Sequence, residues 1–152
     1  MTGDTDTGTG TFAGALARFR QDGDICHLTQ AIPYARTFGF TCETDAQGLL
    51  TVARFRDTTI GNTILPAIHG GVLGALLEQA ATLHLINEMR VEALPRIINI
   101  SVDYLRPAGP RDTFARGRVI KQGRRIANVR VEAWQDRPDK PVAAAHAHFL
   151  LG

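Results

Sequence analysis

Residues Gly70 to Met89 read as one long helix with almost no polar face, because Val72-Leu73-Gly74-Ala75-Leu76-Leu77 runs apolar without a break up to Glu78. A helix that is apolar on most sides is normally buried, so the rest of the chain must wrap it. His69-Gly70-Gly71 opens this helix, and Glu78 sits two turns inside it. Burying a carboxylate without a partner costs several kcal/mol. Either Glu78 reaches solvent or a partner in a structural role, or it faces a pocket and acts on a substrate held at the helix start.

The flanking sequence supplies the wrapping. Phe12, Leu16 and Phe19 recur at near-helical spacing and predict a short amphipathic helix ended by Gly23. Ile32-Pro33-Tyr34 leads into Phe38, Phe40 and Cys42, which alternate as a strand, and Gln47-Gly48 reads as a turn. Leu50, Val52 and Phe55 extend a second strand, so residues 37–57 are expected to form a hairpin, followed by a loop over 58–68. After Pro95 the period becomes two. Ile98, Ile100, Val102 and Tyr104 alternate with Asn99, Ser101 and Asp103 as far as Pro107. Three more strands follow: one through Phe114, Gly117 and Val119, one through Ile126 to Trp134 with a slip suggesting a bulge, and one from Val142 to Leu151. Tight connections favour antiparallel pairing. The expected class is α+β, a curved antiparallel sheet wrapped around one long central helix.

At 152 residues the chain suits one domain with a sizeable core, over 11–152. Residues 1–10, almost all Thr, Gly and Asp, read as a disordered tail. A formal net charge of +2 is too small to point to nucleic acid. Basic residues gather at Arg106, Arg111, Arg116, Arg118, Lys121, Arg124, Arg125 and Arg130, which suits an anionic small molecule or, for most of them, a solvated sheet face. Cys26 and Cys42 match no metal or redox spacing, and reduced thiols are expected. Glu78, Gln79, Thr82 and His84 interrupt the longest apolar run, so no membrane span is expected. With no signal peptide in view, a cytoplasmic location is expected.

Gly74, Glu78 and Thr82 fall at i, i+4 and i+8 and share one helix stripe. The stripe offers a gap, a carboxylate and a hydroxyl to a ligand. It fits equally a glycine placed for packing and a Thr bonded to a backbone carbonyl. At the helix start, unpaired N–H groups of Gly70 and Gly71 are placed to polarise a carbonyl and stabilise an oxyanion. Glu78 lies about 10–12 Å further along the axis at about 1.5 Å per residue, far for one reacting carbon. A second subunit solves this, one helix supplying the N–H groups and the other the carboxylate at a two-fold interface. His69 reads as a base or ligand, or more readily as a cap on the helix, and Asn62 as a turn residue or a holder of water or carbonyl. His146 and His148 face one side of the last strand, but no third ligand at a supporting spacing makes them a metal site.

On Gly61-Asn62, on His69-Gly70-Gly71-Val72 with an acid nine residues after the His, and on Ser101-Val102-Asp103-Tyr104-Leu105-Arg106-Pro107, the chain resembles the hotdog-fold acyl-CoA thioesterases of the PaaI-like, phenylacetate-pathway family, from about Ile32 to Leu151. The resemblance implies a hotdog subunit that forms homodimers with shared active sites, often paired into homotetramers. It implies a hydrolase that cleaves a thioester with no metal and no cofactor, coenzyme A entering only as part of the substrate. It implies Glu78 as general base or nucleophile, Gly70 or Gly71 as backbone donor to the carbonyl, Asn62 as a helper placing carbonyl or water, and Thr82 as the hydroxyl one turn after the acid. His69 belongs to the same motif, and Gly74 leaves room for substrate. Ile97 occupies a position where some members carry a polar helper, which shifts weight to Thr82. Arg106, Lys121, Arg124 and Arg125 are the candidates to hold the coenzyme A phosphates. The rival expectations are a non-catalytic acyl-CoA or lipid-binding dimer, and a hydratase or dehydratase, whose acid and His spacing is not found here.

Overall fold

The computed structural model describes residues 11–89, Val91 and 94–152; the tail expected over 1–10 lies outside the described residues. Three helices come first: α1 (Phe12–Asp22), α2 (Cys26–Ala31) and α3 (Pro33–Thr37). The hairpin β1 (Phe40–Asp45) and β2 (Gly48–Ala53) follows, then a short ribbon of β3 (Ile60–Asn62) and β4 (Ala67–Ile68). The long helix α4 (Gly70–Met89) precedes β5 (Arg96–Tyr104), β6 (Thr113–Gln122), β7 (Ile126–Trp134) and β8 (Ala143–Leu150). Six strands form one sheet in the order β1-β2-β6-β7-β8-β5, and every neighbouring pair is antiparallel. Helix α4 packs on β2, β5, β6, β7 and β8, which is the hotdog arrangement the resemblance implies.

The near-uniform apolar character of α4 now has a cause. Leu73, Leu76, Leu77 and Ala80 pack into the main core with Ala115, Val129, Val131 and Ala145 of the sheet. Leu83 and Ile86 turn to a second cluster formed by Leu16 and Phe19 of α1 and Leu28 of α2. The helix is therefore covered by the sheet on one side and by the N-terminal helices on another. Close approach to the sheet depends on Gly117, where a Cβ would lie 3.0 Å from the His84 Cβ and 3.3 Å from the Ala80 carbonyl oxygen.

Several expectations are corrected. Residues 33–37 are helical, because Pro33 at the first position of α3 presets the helical φ; Phe38 and Phe55 lie outside the strands and the hairpin is Phe40–Ala53. The expected loop at 58–68 contains the paired β3–β4 ribbon. The irregularity in the third part of the sheet lies in β6, between Val119 and Lys121, and not in β7. Ala133 and Trp134 are both buried because Trp134 is covered on the outer face by Leu50, Val52 and Phe114. In β5 a register shift between Ile97 and Asn99 turns Ile98 outward, 53% exposed, and leaves Ile97 on the inner side.

Cys26 and Cys42, expected as free thiols, are joined as a disulfide between α2 and β1, their Cα atoms 5.2 Å apart. The bridge closes a loop with a sequence separation of 16. The variant C42S is expected to lose about 2–4 kcal/mol of stability, measured as a urea midpoint that no longer responds to reductant.

His84 carries a second expectation. Burial lowers its pKa from the ordinary 6.5, opposed by Glu88, whose Oε2 lies 3.0 Å from the imidazole Nε2. Below pH 6.5 the unfolded chain takes up the proton before the folded one does, so stability falls as the pH drops through the ordinary value. Thermal melts from pH 8 to 5 should show this decline, and H84Q should flatten it.

Candidate active site

Helix α4 delivers Gly71, Gly74, Ala75, Glu78, Gln79 and Thr82 to one side of a cleft of about 580 Å³. Ile97 and Ile100 of β5, Phe149 of β8, Ile32 just before α3 and Tyr34 within it complete its largely apolar wall. The volume is that of an ordinary small-molecule site. Gly74 leaves the floor open, since a Cβ there would meet nothing nearer than the Tyr104 hydroxyl at 3.7 Å.

Glu78 is exposed at this cleft. The premise of a buried charge is therefore corrected: the carboxylate keeps access to solvent and still faces the cavity. It makes no ion pair or hydrogen bond among the described residues, so both oxygens are available to water or ligand. Thr82 is buried one turn further on. Its hydroxyl makes no hydrogen bond among the described residues, so the reading in which it bonds a backbone carbonyl is not what is seen.

The helix start is a locked unit. His69 caps α4, its Nδ1 accepting from the Gly71 N–H at 2.8 Å. Only the tautomer with its proton on Nε2 accepts there. The ring is seated against Gly61, where a Cβ would lie 2.7 Å from the His69 Cβ. The His69 N–H donates to the Thr59 carbonyl at 2.8 Å, tying the β3–β4 ribbon to the helix. The Tyr104 hydroxyl donates to the Gly70 carbonyl at 2.8 Å. As a result the Gly71 N–H is already engaged. The Gly70 N–H, at the first helical position, is the donor of the pair left without a partner among the described residues.

Other expected residues lie apart from Glu78. The Asn62 Oδ1 accepts from the Ile64 and Leu65 N–H groups at 3.0 and 3.1 Å and shapes the ribbon's turn. Its amide N–H groups remain for any ligand, yet Asn62 does not line the Glu78 cleft. Gly70 and Arg106 line a neighbouring hollow with Tyr104 and Leu105. Lys121 in β6 and Arg124 and Arg125 in the β6–β7 connection are exposed and also lie off the Glu78 cleft. Much of the remaining basic cluster is an ion-paired face: Arg116 with Asp45 at 2.6 Å, Arg111 with Asp136 at 2.8 Å and Arg130 with Glu132 at 3.0 Å. The His148 Nδ1 lies 2.7 Å from the Asn99 Oδ1. Among the described residues no cluster of three metal-ligating side chains occurs, and no helix is long and apolar enough to cross a membrane.

Two residues escaped the sequence reading. Strand alternation and the Ser101–Pro107 motif give Tyr104 a place but no role, whereas its hydroxyl holds the helix start. Gln79 interrupts an apolar run immediately after Glu78, and that interruption was its one available signal.

The model of the family described as acyl-CoA thioesterase N-terminal domain matches residues 61–150. Among curated relatives, a protein named medium/long-chain acyl-CoA thioesterase YigI from Escherichia coli K12 is 26% identical over 136 residues, covering 80% of this chain and 86% of the relative. Among solved structures, a protein from Chromobacterium violaceum is 38% identical with a TM-score of 0.73, covering 90% of this chain and 96% of that one. A phenylacetic acid degradation-related protein from Ralstonia eutropha JMP134 is 25% identical with a TM-score of 0.71, covering 90% and 99%.

Proposed function

Because the chain belongs to the acyl-CoA thioesterase family, PaaI-like in its structural neighbours, and is thereby a thioester hydrolase, we propose that residues 11–152 form one domain that hydrolyses a small or medium acyl-CoA, aryl or aliphatic. The observation that carries this reading is an exposed carboxylate, Glu78, on an apolar cleft with the Thr82 hydroxyl one turn away, both without a partner among the described residues.

In the proposed reaction Glu78 takes a proton from water, or attacks the carbonyl itself as nucleophile to give a mixed anhydride that water then hydrolyses. The oxygen adds to the thioester carbon, the C–S bond breaks, and coenzyme A leaves as thiolate and takes up a proton. Thr82 orients the water. The Gly70 N–H at the helix start stabilises the oxyanion, with His69 and Gly71 fixing the geometry and the Asn62 amide supporting the carbonyl. Gly74 admits the acyl group. The phosphates of coenzyme A, extending beyond the cleft, meet Arg106, Lys121, Arg124 and Arg125. The scheme uses no metal and no cofactor beyond the substrate's own coenzyme A.

One chain does not supply both halves. Gly70 and Glu78 are eight residues apart, about 12 Å along the axis, whereas reacting groups must come within about 3–3.5 Å. A homodimer, extended in some assemblies to a homotetramer, brings the helix start of one subunit to Glu78 of the other. Its support is the free edge of β5, bearing Ile98, with Tyr104 at 57% exposure and Leu105 beyond it. Ile64 and Leu65 at the ribbon tip are exposed as well. Such apolar surface is what a partner chain covers.

The direct test is free-thiol release from a panel of short, medium and aromatic acyl-CoAs. Release from at least one is expected, and binding without release from every member overturns the reading. We place the protein in the cytoplasm, which fractionation of intact cells tests.

A further inference from the structure

Gln79 is a buried polar side chain of the cleft that the proposed hydrolysis leaves unused. It is only 9% exposed, and its Nε2 is buried without a hydrogen-bond partner among the described residues. An unpaired buried amide is costly, and native proteins rarely leave one without a reason. The cleft wall around it is apolar, formed by Ile32, Ile97 and Phe149, so no neighbouring group in the cleft wall answers it. Leu or Met at this position would fill the same space without an orphaned donor. The position also matters: Gln79 adjoins Glu78 and precedes Thr82 by three residues, which keeps it within about one helical turn, about 5.4 Å, of the proposed reacting centre.

We propose that Gln79 recognises a hydroxyl carried by the acyl group within the first few carbons from the thioester, so that the substrate class is a hydroxylated acyl-CoA. A hydroxyl both accepts and donates, and therefore satisfies the amide through its N–H or through its carbonyl. The surrounding apolar wall takes the rest of the acyl chain or ring. A site built around a buried hydrogen bond discriminates strongly against the analogue that lacks it, because binding that analogue leaves the protein's own polar group unpaired. This inference rests on the thioesterase reading above.

The experiment compares coenzyme A release by the full chain from matched pairs: 3-hydroxydecanoyl-CoA against decanoyl-CoA, and 2-hydroxybenzoyl-CoA against benzoyl-CoA. The wild-type protein is expected to favour the hydroxylated member of at least one pair by about tenfold or more in kcat/KM. Q79L and Q79M, checked for folding by thermal melt, are expected to bring that ratio to about one, with the loss falling on the hydroxylated member. Equal wild-type kcat/KM on both members of each pair overturns the proposal, since the wild-type ratio needs no variant to fold. So does a preference that survives Q79L, or a Q79L loss that is the same for both members, which would make Gln79 a general helper. Absence of thiol release from all four thioesters strikes the thioesterase reading itself and is distinguishable from all of these.

Discussion

E78Q is expected to lower kcat by about 10²–10⁴-fold, the usual contribution of a positioned base, with KM little changed. The substitution keeps the size of the side chain and an acceptor oxygen but removes the ability to take a proton or attack as a carboxylate. Glu78 is exposed at the cleft and bonded to nothing among the described residues, so its loss leaves no buried partner stranded and should barely move the melting temperature. That separation of activity from stability is the discriminating feature. A carboxylate kept for structure would show the reverse, stability falling and turnover surviving. Steady-state kinetics on the best thioester of the panel, beside a thermal melt of the same preparation, decides between them. T82A should reduce kcat less than E78Q, since its hydroxyl orients water and takes no proton in the scheme.

The core of the molecule was readable in the sequence because its signals are periodic. The near-featureless apolar character of α4 demanded cover on several sides, and the chain provides it with the sheet below and α1 and α2 against Leu83 and Ile86. Strand alternation after Pro95 was equally plain, and the bounds of β5 to β8 follow it closely. The failures are local. A period-two reading cannot detect that one inserted residue in β5 reverses the side on which Ile97 and Ile98 fall. It also missed α3, because Tyr34 and Phe38 look like strand residues until Pro33 starts a turn of helix. At the site, spacing placed Gly74, Glu78 and Thr82 on one stripe and the structure puts all three on one cleft. His69 as a cap on the helix and Asn62 as a turn residue, both local readings, are what the structure shows. Spacing does not reveal that Tyr104 holds Gly70, because that contact joins a side chain to a backbone atom distant in the chain and leaves no period in a sequence.

Mixing two inactive variants should restore activity if the sites are shared between subunits. G70P removes the one helix-start N–H left free in the glycine pair, and proline is well tolerated at the first helical position. The Tyr104 ring must yield slightly, since a Cβ at Gly70 lies 3.2 Å from it. Alone, G70P is expected to lose about 10²–10³-fold in kcat, the cost of one oxyanion donor, and E78Q fails for want of its carboxylate. When the two chains are co-expressed or refolded together, each mixed dimer holds one site with both defects and one site with neither. Random pairing at equal amounts makes about half the dimers mixed, so about one quarter of wild-type activity should return if subunits meet through a two-fold interface. If Gly70 and Glu78 of the same chain served one reacting carbon, every site in the mixture would carry a defect and no activity would return. The 12 Å or so between them along α4 argues for recovery. The free edge of β5 and the exposed Ile64, Leu65 and Ile98 provide the surface through which the second chain would complete the site.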